Sequence, residues 1–242
     1  MPLQLELVPL LQTQRQIYDI PLGMERFKRY LRTMLGEDGA LRFPLPLMNP
    51  MGKAHVAAKL DELLAISAEG VAHRALHEAA SRLSDHDGAL RVALVLADDA
   101  GGWTNRWFSD AQHRFEPKYF VRHGWAVVAA WTSEAIDADR VYTETLAAVQ
   151  RTVSQRERGL PTTLGAMLAQ EREALSFAGI AARYDRRERE RIGGTIAPVI
   201  HRGDFAAVIP AFYGDEAAVA CGYAPLGIPP FGGFESLLPS PT

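Results

Sequence analysis

The chain has a single cysteine, Cys221, in 242 residues, so an intramolecular disulfide is excluded and a reducing compartment suits it. It has no large surplus of charge: 26 basic and 29 acidic groups leave a formal net charge of −3. Nucleic-acid binding through a global positive field is therefore disfavoured. No apolar stretch approaches the length needed to span a bilayer, and the opening MPLQLELVPLLQTQRQ lacks the basic-then-apolar order of a secretion signal. A cytoplasmic location without membrane attachment is the resulting expectation. The usual nucleotide signatures are missing too. There is no GxGxxG or GxxxxGK[ST] loop, Gly193-Gly194 stands alone, and no serine sits in a GxSxG elbow. Internal repeats and low-complexity segments are also absent.

What is present belongs to an ordinary folded protein, with 48% hydrophobic and 23% charged residues. The length allows a sizeable core. Met24, Phe27, Leu31 and Met34 recur at helical spacing until Gly36 and Asp38-Gly39 stop them. The proline-rich stretch from Phe43 to Pro50 must be extended or turned. Lys53 to Ile66 and Val71 to Leu83 read as two further helices. The pattern then changes to two short apolar runs, Val92–Ala97 and Trp125–Trp131, which read as strands covered on both faces. Helices follow from Asp137 to Gly159 and, capped by Thr162, on to Gly179. Thr195–Ile200, Ala206–Phe212 and Ala217–Tyr223 look strand-like, and the Pro/Gly tail from Ala224 onward looks extended over the surface. The sum is one α/β or α+β domain over residues 1–242, with a central sheet of mixed strands under packed helices. Within it, a helix-rich subregion 1–84 precedes a sheet-containing region 85–242.

Polar chemistry gathers in the connection Asp98–His123 between the two apolar runs. Connections this long without structure of their own are uncommon and tend to be functional. Ligands of α/β sheets bind beyond the carboxyl ends of strands, where Asp98 and Asp99 fall. Gly101-Gly102 would let the backbone approach closely. Two carboxylates here suit acid–base work or a hydrated Mg²⁺, although consecutive side chains of an extended segment point in opposite directions. His113 is the candidate proton carrier, which makes Asp98, Asp99 and His113 the candidate catalytic set. Trp103, Asn105, Arg106 and Arg114 are the candidate ligand contacts, with a short helix starting near Thr104 and the arginines offering forked hydrogen bonds to an anion. The plainer role for these arginines is pairing with Asp110 and Glu116.

His73 and His77 lie i, i+4, on one side of a helix, which is a spacing that can share a metal ion. Glu78 points away from both, so neither HExxH nor HxxEH is met. Further ligands would have to come from His113, His123, Asp98 or His55. Ser84–Gly88 resembles the start of a calcium loop but is followed directly by a strand, and so reads as a turn. Arg183–Arg191 interleaves both signs as a solvated, ion-paired helix face does. Cys221 sits in apolar surroundings and packs rather than reacts.

These residues point first to a small-molecule enzyme or ligand-binding protein using the Asp98–His123 loop, without naming substrate, reaction or cofactor. The alternative is a non-catalytic subunit, one that associates with itself or another chain through Ile228–Phe234, since aromatics favour interface centres. A metal-dependent hydrolase built on His73 and His77 is the third reading.

Overall fold

Valine-rich runs become buried strands, and amphipathic runs become helices that cover them. The computed structural model describes residues 2–101 and 104–238. In chain order, β1 is Gln4–Leu7, α1 Leu11–Tyr18, α2 Met24–Met34, α3 Ala54–Ala65, α4 Ala68–Arg82 and β2 Ala89–Ala97. Then come α5 Arg106–Phe115, α6 Lys118–Arg122, β3 Trp125–Trp131, α7 Ala138–Arg158 and α8 Leu164–Phe177. Last are α9 Arg186–Ile196, α10 Phe205–Tyr213, α11 Asp215–Ala220 and α12 Gly232–Ser236, with 3-10 turns at Leu45–Leu47 and Ala197–Val199. The chain forms two compact units, one of residues 1–104 and 119–149, the other of 105–118 and 150–242. Among the described residues no helix is long and apolar enough to cross a membrane.

The first unit holds the sheet, in the order β1-β2-β3 and parallel throughout rather than mixed. Parallel neighbours need long crossover connections, and helices supply them here. Val92–Ala97 of β2 is entirely buried, as expected of a strand covered on both faces. β1 lies within the helix-rich N-terminal subregion, so the sheet is not confined to residues beyond 84. It is also short, and its pairing with β2 ends at Leu7↔Val92. Beyond it the fully buried Gln14 of α1 stands in for a strand: its carboxamide donates to Leu96 O at 3.3 Å and accepts from Leu96 N–H at 3.1 Å. Glu69 of α4 accepts from the Leu10 and Leu11 N–H groups at 2.6 and 2.9 Å, answering the unsatisfied donors that start α1. Both long-range contacts hold α1 in place beside β2.

The second unit is helical. Thr195–Ile200, Ala206–Phe212 and Ala217–Tyr223, expected as strands, are the end of α9 with a 3-10 turn, α10, and α11 running into a turn. The reason is burial. Ala207–Tyr213 is buried all round, so α10 carries no polar stripe, and a short, wholly apolar run does not reveal its period. The C-terminal tail also differs from expectation: Phe231 and Phe234 pack on Phe212, Tyr213 and Trp107, and Ile228 is buried among them. Thr163, one residue beyond the expected Thr162, caps α8 by accepting from Ala166 N–H.

Candidate functional site

β2 and β3 end side by side. Ala97 pairs with Trp131, so the next residues, Asp98 and Thr132, are neighbours at the carboxyl edge of the sheet. Asp98 is 1% exposed, and its carboxylate is surrounded by donors. Oδ1 meets His55 Nε2 at 2.7 Å, Gly101 N–H at 3.1 Å and Thr132 Oγ1 at 3.1 Å, while Oδ2 accepts from Asn49 Nδ2 at 2.8 Å. Gly101 has to be glycine for this approach, because a Cβ there would sit 2.8 Å from Asp98 Oδ2. Burial alone would push the Asp98 carboxyl up. The hydrogen bonds from His55, Asn49 and Gly101, together with the charge of His55, outweigh it and hold Asp98 below its ordinary value.

An ionised Asp98 accepts only, so the proton on this contact lies on His55 Nε2. Nδ1 then remains for exchange, and among the described residues it has no hydrogen-bond partner. The His55 side chain is 36% exposed, so its ring reaches solvent. It lies in the first turn of α3, directly after the loop that carries Asn49.

Asp98 and Asp99 follow the end of β2, and both contact one hydroxyl. Thr132 Oγ1 lies 3.0 Å from Asp99 Oδ1 and 3.1 Å from Asp98 Oδ1, and accepts from the N–H groups of Asp99 and Ala100. Its single proton can serve one carboxylate at a time. Asp99 also accepts from Ser133 N–H at 2.9 Å and Ser133 Oγ at 2.5 Å. A cleft of about 320 Å³, counting its open mouth, is floored by Leu94, Val128 and Ala130, walled by Leu63, Ile136 and Val141 and edged by Glu134 and Arg140; Asp98, Asp99 and His55 do not line it.

The other expected residues lie elsewhere. Asn105, Arg106, His113 and Arg114 belong to the second unit, on α5 or at its cap, rather than to a structureless loop. Asn105 Oδ1 caps α5 by accepting from Phe108 N–H at 3.1 Å, and it also receives Cys221 Sγ at 3.3 Å. Arg106 lies over the rings of Trp107 and Phe231. Arg114 pairs with Asp110 at 2.8 Å and with Glu171 at 3.2 Å. Glu171, fully buried, also takes Arg151 in a fork at 2.5 and 2.9 Å, and Tyr213 OH donates to Asp110 at 2.7 Å. Burial would raise both carboxyls; Arg114 acts on both, helped by Tyr213 at Asp110 and by Arg151 at Glu171, and both are held low. Trp103 falls outside the described residues. His73 and His77 are exposed on α4, and among the described residues no set of three or more His, Cys, Asp or Glu side chains is placed to hold a metal. Glu78 instead accepts from Tyr142 and Arg82.

His55 is the residue that sequence reasoning undervalued, weighing it only as a spare metal ligand. The available signal was its place just after Asn49-Pro-Met-Gly-Lys53, in the first turn of a helix. No family model, curated protein or solved structure matches the chain, so its own geometry carries the functional reading.

Proposed function

We propose that the first unit binds a small polar molecule at the carboxyl ends of β2 and β3, and that His55 exchanges a proton with it. Asp98 is the orienting carboxylate in this reading: it fixes the ring and keeps the proton on Nε2, leaving Nδ1 to face the ligand. Asp99 and Ser133 provide polar anchors on the adjoining edge. The observation that carries the proposal is the 2.7 Å contact between a 1%-exposed carboxylate and a half-exposed imidazole at the carboxyl end of a parallel sheet. Ligands of α/β folds gather at that end.

Relative to the sequence expectation, the proton carrier moves from His113 to His55 while Asp98 and Asp99 keep their places. A thermal-shift screen of polar metabolites tests the reading. A compound that raises the melting point of the wild-type chain should lose its effect in His55→Gln and in Asp98→Asn, and keep it in His113→Ala. Binding that survives both His55→Gln and Asp98→Asn in folded protein would sink it.

A further inference from the structure

The loop Asn49–Lys53 carries Asn49, a direct partner of Asp98, and leads into the helix turn that carries His55. Two buried side chains hold this loop. Tyr18 OH donates to Asn49 O. Arg26 Nη1 donates to Gly52 O at 2.9 Å while its Nε donates to Ile20 O at 2.6 Å, so one planar fork ties the loop to the start of the α1–α2 connection. Nη2 reaches Tyr18 O at 3.5 Å, and the guanidinium stands 5.3 Å from the centre of the Tyr18 ring.

Arg26 is 7% exposed, yet among the described residues its hydrogen-bond partners are all carbonyls. A buried guanidinium without a carboxylate partner is costly. Its charge is felt at Tyr18 together with that of Asp98: burial pushes the Tyr18 phenol up, Asp98 adds to the rise and Arg26 opposes it. A buried cation and a buried anion thus act on the same phenol.

We infer that Arg26 is a positioning residue for the His55–Asp98 pair, acting through the Asn49–Lys53 loop. The inference rests on the reading of His55 as the proton carrier. The route of transmission is steric. Gly52, whose carbonyl Arg26 holds, packs so closely that a Cβ would lie 2.6 Å from Val56 Cγ2 and 3.3 Å from both Asp98 Oδ2 and Asn49 O. A shift of this loop by a few tenths of an ångström therefore reaches both Asp98 and the start of α3. Lysine at 26 would keep the charge, but a single ammonium cannot reproduce the fork that spans two carbonyls.

The test is the hydrogen-exchange rate of the His55 imidazole N–H in the full chain, read by NMR with ¹⁵N-labelled histidine and assigned by its loss in His55→Gln. The wild-type chain should show a slowly exchanging N–H. Arg26→Lys should speed exchange about tenfold or more while the melting transition stays cooperative, as local opening does. Gly52→Ala, which leaves Arg26 intact, should do the same by pushing on Asp98, and it decides the matter if Arg26→Lys does not fold. An unprotected N–H in the wild type overturns the reading of His55, and this inference with it. Protection that persists in Arg26→Lys, or in Gly52→Ala, overturns the positioning role alone and leaves His55 standing.

Discussion

Asp98 in the first unit and Glu171 in the second are both buried carboxylates, and they are satisfied in different ways. Glu171 takes two arginines, and the neighbouring Asp110 takes one of those arginines and Tyr213, so two anions and two cations close on one another within the core. Asp98 takes an amide, a hydroxyl, a backbone N–H and one imidazole, and that imidazole is part-exposed. Burial of charge is common to both regions and marks neither as functional. What separates them is titratability at neutral pH: guanidinium does not release its proton, whereas imidazole does. The Glu171 network is therefore a brace, and the Asp98 network has a part that can change state.

The largest expected effect breaks the brace. Glu171→Gln leaves Arg151 and Arg114 buried with one of their anions gone, which should destabilise the protein by about 3–5 kcal/mol in urea unfolding. Asp98→Asn removes a charge whose partners are mostly neutral, and the new amide can still accept from several of them. A loss of about 1–3 kcal/mol is expected in the same measurement. Equal losses for the two variants would erase the distinction between them.

Acidification sharpens the comparison. Asp98, Asp110 and Glu171 are all held below their ordinary values in the folded chain. Their stabilisation is complete above the unfolded carboxylate range near about pH 4, and it is lost as pH falls through the lower folded values. Asp98→Asn should start less stable at neutral pH but lose less of what it has between about pH 4 and pH 2. Circular dichroism across that range checks the sign. A variant with an acid limb as steep as the wild type would show that the fold does not hold Asp98 below its ordinary value.

The sequence made β2, β3 and the strand-end aspartates legible, though not β1, which is four residues long and carries no apolar run. An apolar run that stops at Asp-Asp-Ala-Gly-Gly is a local signal. Met24–Met34 was legible for the same reason, as an amphipathic period ended by glycine. The partner of Asp98 was not, because His55 sits 43 residues earlier and meets it only after α3 docks. Arg114 was legible in part: its pairing with Asp110 one turn before it could be read from the spacing, whereas Glu171 meets it only once the fold brings α8 beside α5. Helix α10 was missed because full burial removes the polar face that would have shown its period.

The smallest stability effect is expected where the functional effect is largest. His55→Gln trims a half-exposed ring, and glutamine is a good helix former that can still donate toward Asp98. Stability should change by no more than about 0.5–1 kcal/mol, the range of substitutions that open no cavity and strand no buried group. Any ligand found by thermal shift should nonetheless lose its effect, since glutamine offers no group that titrates near neutral pH. A large stability loss with ligand binding intact would place His55 beside Glu171 as a brace. The first unit would then hold a second closed network in place of a site.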